Sequence, residues 1–117
     1  MTGGSEWLID AHGCDPAALR DPDRLLALLD RVVADLDLHV VGQPLCHAFP
    51  EPGGVTALYL LRESHLCCHT YPEVRLATFN LYCCRERPAF PWVEALSAAL
   101  GATRVDLVQQ RRGGGLP

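Results

Sequence analysis

The apolar positions of this chain change period several times, and each change marks an element. Between Glu6 and Cys14 they crowd a short run closed by Gly13, which predicts a first strand, and Asp15-Pro16 opens a polar connection. Leu25, Leu26, Leu29, Val32, Val33 and Leu36 then recur at the spacing of one helical face, with Asp21 suited to the N-cap and Pro22 to the first helical position. Leu38 to Phe49 predicts a second strand, Pro50 to Gly54 a turn, and Val55 to Leu61 a third strand suited to a buried face. Pro72 interrupts the run that follows. From Arg75 to Cys84 the alternation is explicit: Ala77, Phe79, Leu81 and Cys83 oppose Leu76, Thr78, Asn80 and Tyr82, so Cys84 shares the face of Asn80 and Tyr82. A second helical stripe runs from Pro91 through Trp92, Ala95, Leu96, Ala99 and Leu100 to Gly101, before a last strand over Arg104 to Gln109.

This order predicts an α+β two-layer sandwich, an antiparallel sheet with two helices on one face. At 117 residues the chain carries one core, so residues 1–110 are expected to form a single domain and 111–117 a flexible tail. The uncovered sheet face needs a partner, and a homodimer is the simplest solution, because a two-fold interface lets one surface serve both copies.

Composition narrows the function classes. A net charge of -4 gives no general attraction for nucleic acid, and 49% apolar with 21% charged residues is ordinary for a soluble globule. No apolar run approaches the roughly 18 residues that span a bilayer, and the N-terminus lacks the basic flank of a signal peptide, so a cytoplasmic protein is expected. In that compartment the six cysteines are expected to be free thiols. The adjacent pairs Cys67-Cys68 and Cys83-Cys84 lack the two-to-four-residue spacing of structural zinc sites, and neighbours on a strand point to opposite faces. No metal is expected.

The chemistry concentrates in Leu61-Arg62-Glu63-Ser64-His65-Leu66-Cys67-Cys68-His69-Thr70-Tyr71-Pro72-Glu73, with a hydroxyl, two thiols, two imidazoles and two carboxylates. This run resembles the Glu-Ser-His, then His-Thr-Trp-Pro-Glu, signature of the bacterial S-adenosylmethionine decarboxylase proenzymes, the short prokaryotic pyruvoyl-dependent form. The resemblance extends to Trp7 through Asp15, to Cys46-His47-Ala48-Phe49, and to Asn80-Leu81-Tyr82-Cys83-Cys84. A second histidine five residues after the serine and a cysteine twenty residues after it make it specific. Tyr71 stands where the family usually has Trp, Asn80 where it has Asp, and Glu6 where it often has His; these departures bear on substrate more than on cofactor.

The resemblance implies that the chain cuts itself between Glu63 and Ser64. Attack of the Ser64 hydroxyl on the Glu63 carbonyl gives an ester, and elimination with loss of ammonia leaves a pyruvoyl group on residues 64–117. By the same resemblance His69 is the proton relay of processing and Thr56 its supporting hydroxyl. The pyruvoyl ketone forms a Schiff base with the substrate amine and draws electrons from the breaking carboxylate bond. An acid must then protonate the carbon, a thiol ordinarily keeps its proton at neutral pH, and the resemblance sets Cys84 on the family's catalytic cysteine, so Cys84 is the expected donor. By the resemblance Phe49 is expected to offer an aromatic face to a sulfonium and an adenine and Glu73 a carboxylate to ribose hydroxyls, with Asp10 as a further candidate contact.

The implied activity is decarboxylation of S-adenosylmethionine to supply the aminopropyl donor of spermidine and polyamine synthesis. Pyruvoyl chemistry needs only an α-amino acid, so an arginine or ornithine decarboxylase of the same scaffold stays open. So does an unprocessed, non-enzymatic relative acting as a binding or regulatory subunit.

Overall fold

The computed structural model describes residues 3–113. Six strands, β1 (Gly4–His12), β2 (Leu45–Ala48), β3 (Val55–Leu61), β4 (Ser64–Tyr71), β5 (Leu76–Cys83) and β6 (Arg104–Arg112), form one sheet in the order β2-β3-β4-β5-β1-β6. Every neighbouring pair is antiparallel. Three helices, α1 (Pro16–Leu19), α2 (Pro22–Asp35) and α3 (Trp92–Leu100), complete the α+β fold.

Strand periodicity decides which residues face the helices. Ile9 and Ala11, Val55 to Leu61 at odd positions, Leu66 and Cys68, and Ala77, Phe79, Leu81 and Cys83 are buried against Leu25, Leu28, Leu29 and Val32 of α2 and Trp92, Leu96 and Leu100 of α3. Two polar groups tie the layers together. The Tyr59 hydroxyl donates to Asp30 Oδ1 at 2.7 Å, and the buried Thr70 hydroxyl donates to the Leu19 carbonyl at 2.7 Å while accepting from Val55 N at 2.9 Å. Asp21 caps α2 by accepting from Asp23 N and Arg24 N, and Gly101 closes α3 at φ 70°, a conformation that costs a residue with Cβ.

The structure corrects the expected elements in four places. The polar connection after Asp15 contains α1, because Asp15 accepts from Ala17 N and Pro16 starts the turn. The second strand is confined to Leu45–Ala48, with an isolated bridge at Val40, because Gly42 at φ 74° and Pro44, which has no N–H, interrupt it. Arg111 and Arg112 are not tail but the end of β6: β1 begins at Gly4, and its partners there are Arg112 and Arg111. The remainder of the expected tail, 114–117, lies outside the described residues. Leu28, absent from the helical stripe read from sequence, is buried, while Leu26 and Val33 are only partly covered.

Among the described residues the opposite sheet face carries no helix. Its register places His69 between Thr56 and Thr78, with Asp10 beyond Thr78, and Cys67 between Leu58 and Asn80, with Leu8 beyond. Leu8, Leu45, Leu58, Leu60 and Val108 are exposed on this face.

Candidate active site

The Glu63–Ser64 bond lies where β3 turns into β4, joined by Arg62 and Glu63 alone. Ser64 holds φ 146°, a region open to glycine and strained for a residue with a side chain, at a typical cost of about 1–3 kcal/mol. The Glu63 carbonyl accepts a hydrogen bond from the Cys84 backbone N–H at 2.8 Å. The same bond draws Cys84, which follows β5, to the Glu63–Ser64 bond, and Cys83 pairs with Ser64. A donor fixed on this carbonyl polarises it and sits where negative charge develops on attack.

The Glu63 side chain anchors the turn. It is nearly buried, accepting from His39 N at 3.0 Å and meeting His39 Nδ1 at 2.7 Å and an Arg87 guanidinium nitrogen at 3.1 Å. Burial alone raises a carboxyl pKa, but these hydrogen bonds outweigh it and lower the Glu63 carboxyl from 4.5 to about 2. Burial pushes the neighbouring Cys83 thiol up to about 11 and the Cys68 thiol up to about 12, so both stay protonated as core residues.

A chain of polar contacts leads away from Ser64 across the open face. Ser64 Oγ meets His65 Nδ1 at 3.0 Å, His65 Nε2 meets Asn80 Oδ1 at 3.0 Å, and Asn80 Nδ2 donates to Glu6 Oε2 at 2.7 Å. Arg112 donates to Glu6 Oε1 at 2.7 Å. The hydrogen bonds from Asn80 and Arg112 lower the Glu6 pKa below its usual range.

The other end of β4 is built differently. His69 Nδ1 is hydrogen-bonded to the Thr56 hydroxyl. Phe49 approaches His69 edge-on at 5.7 Å between ring centroids, Tyr71 does so at 4.5 Å, and His47 packs against Phe49 at 4.5 Å. Phe49, Tyr71, His69 and Glu73 line an open cleft of about 410 Å³. An adjoining cleft of about 300 Å³, also bordered by His69, is lined by Asp10, Thr56, Cys67 and Asn80.

The expected site residues therefore fall into two groups. Glu63, Ser64 and Cys84 meet at one end of β4, and Thr56, His69, Phe49, Glu73 and Asp10 gather at the other. Ser64 and His69 are five residues apart on one strand, roughly 16 Å at about 3.3 Å per residue, so a single chain does not bring them together. Sequence reasoning missed His39, Arg87, His47 and the His65-Asn80-Glu6 chain. Strand parity put His65 and Asn80 on faces that a register would have joined; His39 fell inside the overlong second strand, and Arg87 lies in a connection with no periodic signal. Among the described residues no group of three or more His, Cys, Asp or Glu is placed to hold a metal, all six cysteines are free thiols, and no helix is long and apolar enough to cross a membrane.

Residues 5–113 match the family described as S-adenosylmethionine decarboxylase. The S-adenosylmethionine decarboxylase proenzyme of Pyrobaculum islandicum is 36% identical over 75 residues, 62% of this chain and 58% of that protein's own length. The S-adenosylmethionine decarboxylase proenzyme 2 of Halalkalibacterium halodurans is 31% identical over 119 residues, covering 97% of this chain and 89% of its own. An arginine decarboxylase proenzyme of Ignicoccus hospitalis is 33% identical over 81 residues, 69% of this chain and 56% of its own. The crystal structure of the adenosylmethionine decarboxylase from Aquifex aeolicus superposes with a TM-score of 0.78 at 28% identity, covering 96% of this chain and 92% of that one.

Proposed function

The chain belongs to the S-adenosylmethionine decarboxylase family, and from that premise we propose that it is a self-processing, pyruvoyl-dependent decarboxylase of S-adenosylmethionine that supplies the aminopropyl donor for polyamine synthesis. The observation that carries this reading is the cleavage turn. Ser64, bonded to the carbonyl that its hydroxyl would attack, stands at φ 146°, and the Cys84 N–H is already on that carbonyl at 2.8 Å. These residues fit a serine that becomes the cofactor, with strain to release and a donor for the developing oxyanion.

A pyruvoyl group at residue 64 supplies an electron sink for the breaking carboxylate bond. The chain's own residues do the rest. The thiol of Cys84, whose backbone amide already holds the Glu63 carbonyl, supplies the proton delivered to the substrate carbon. Phe49 and Tyr71 offer aromatic faces to a sulfonium or an adenine, Glu73 offers its carboxylate to ribose hydroxyls, and Asp10 borders the adjoining cleft.

The functional unit in this reading is a homodimer. The exposed Leu8, Leu58 and Leu60 favour packing of the open faces on each other. A two-fold axis lying between the two sheets, across their strands and over the middle of β4, would reverse that strand and lay His69 and Thr56 of one copy over Ser64 of the other. The free thiols suit a reducing cytoplasm.

An intact mass spectrum under denaturing, reducing conditions tests the reading. Two chains split between Glu63 and Ser64, with the second converted at its N-terminus, are expected from the wild type and a single chain from Ser64→Ala; a wild type that stays whole on long incubation overturns it. The Ignicoccus relative's name keeps arginine in view as substrate. Carbon dioxide release from S-adenosylmethionine, arginine and ornithine separates the substrates, and turnover of an amino acid other than the first would reassign the site.

A further inference from the structure

The contacts between Ser64 and Arg112 have a direction that ordinary hydrogen-bond chemistry dictates. Glu6, lowered in pKa by its two donors, accepts at both oxygens. Asn80 must therefore turn its NH₂ toward Glu6, at 2.7 Å, and its carbonyl oxygen toward His65. A carbonyl oxygen only accepts, so His65 Nε2, 3.0 Å away, carries a proton. In the neutral imidazole that leaves Nδ1 bare, 3.0 Å from the Ser64 hydroxyl. All of these residues except Arg112 are at least partly shielded from solvent, which reduces the competition of water for the bonds from Ser64 to Glu6.

We infer that His65 is the catalytic base that takes the Ser64 hydroxyl proton in self-cleavage, held in the required tautomer by the Asn80-Glu6-Arg112 chain. The inference rests on the self-processing reading above and adds a residue that the resemblance leaves without a role. The step balances within the chain. The Oγ–H bond breaks as its proton passes to His65 Nδ1, and Oγ bonds to the Glu63 carbonyl carbon. The carbonyl oxygen takes the charge against the Cys84 N–H at 2.8 Å. The bond from that carbon to the Ser64 nitrogen then breaks, and the proton on Nδ1 goes to the departing nitrogen. The product is an ester isomeric with the starting amide, His65 is restored, and no further reactant is consumed. His69, at the far end of β4 in this chain, is left to the later ester and elimination steps. Asn80, Glu6 and Arg112 touch no reacting atom and act as positioning residues.

The test follows full-length wild type, His65→Ala and His69→Ala by intact mass over time, with and without alkaline hydroxylamine, which cuts esters but not amides. The expected result for His65→Ala is cleavage slowed at least about 100-fold, the usual worth of a general base, with an uncut chain that resists hydroxylamine. Free imidazole should partly restore cleavage. His69→Ala should instead accumulate an uncut chain that hydroxylamine splits. A His65→Ala chain that cuts at the wild-type rate, or collects a hydroxylamine-labile ester, overturns the assignment. A second measurement does not depend on that variant folding: nitrogen-15 spectra of labelled histidine in uncut Ser64→Ala should show His65 protonated at Nε2, and protonation at Nδ1 alone overturns the inference. Failure of the premise looks different, since a wild type that never splits removes the self-processing reading and this step with it, whereas a wild type that splits beside an unaffected His65→Ala removes only the step.

Discussion

The two ends of β4 belong to one strand but are built for different tasks. At the Ser64 end the backbone is strained, the Glu63 carboxylate is enclosed by His39 and Arg87, and the Cys84 amide is already on the Glu63 carbonyl. At the His69 end the backbone is regular, the groups are aromatic and half-exposed, and clefts stand open around them. The first end is organised without a ligand, which suits the proposed reaction of the chain upon itself. The second has the room and the apolar, π-rich surface that a small cationic ligand needs. One lesson follows from geometry: residues adjacent in a motif are separated by the extended backbone, so the motif's unity in sequence becomes a division in space.

Co-expression makes the largest test of that division. If a second copy joins the two ends, Ser64→Ala and His69→Ala chains should each stay whole alone. Expressed together with distinguishable tags, they should yield cut His69→Ala chain, because that chain keeps its serine and borrows a histidine. No cut chain in a purified mixed dimer would mean that each protomer works unaided.

Cys84→Ala separates backbone from side chain at the Ser64 end. The amide on the Glu63 carbonyl survives the substitution, so self-cleavage should proceed near the wild-type rate while decarboxylation falls about 100-fold or more, in line with loss of a general acid. Cleavage and turnover falling together would show that the thiol is needed earlier.

Phe49→Ala addresses the opposite end. It should leave cleavage unchanged and raise KM for S-adenosylmethionine by roughly 3- to 30-fold, the range of a cation–π contact from exposed to desolvated. An unchanged KM in kinetics with the processed enzyme would remove Phe49 from the substrate site.

The smallest effect concerns the acid limb of stability. The Glu63 carboxyl is depressed in the folded chain, so its contribution is present above its ordinary value of 4.5 and lost as pH falls toward about 2. In the uncut Ser64→Ala background, adding Glu63→Gln should lower stability at neutral pH and flatten its decline between pH 4.5 and 2, read from denaturant melts. Parallel declines in the two chains would show that the enclosure by His39 and Arg87 does not hold the turn.

Much of the fold was legible because it follows from short-range physics. The alternation over Leu76 to Cys83 matches the alternating burial of β5, and Asp21-Pro22 starts α2 where a capping carboxylate and a preset φ should start it. The turn that carries the proposed cleavage was legible too, since Glu63 and Ser64 are neighbours in the chain. What failed in the reading failed for tertiary reasons. Arg111 and Arg112 have the composition of a tail, yet β1 offers them a partner and Glu6 a charge. His65 passed without a role because its importance lies in Asn80, 15 residues away, and in Glu6, on a strand that pairs with β5 only once the sheet has formed.

The sequence by itself determined the alternation of β5, the start of α2 and most of the buried sheet face, because periodicity and capping act over a few residues. Only the tertiary structure decided that Cys84 brings its amide to the Glu63 carbonyl, that Arg87 and His39 enclose the Glu63 side chain, and that Ser64 and His69 stand at opposite ends of a strand. Those relations depend on register between distant segments and on the length of an extended chain, which no local pattern encodes.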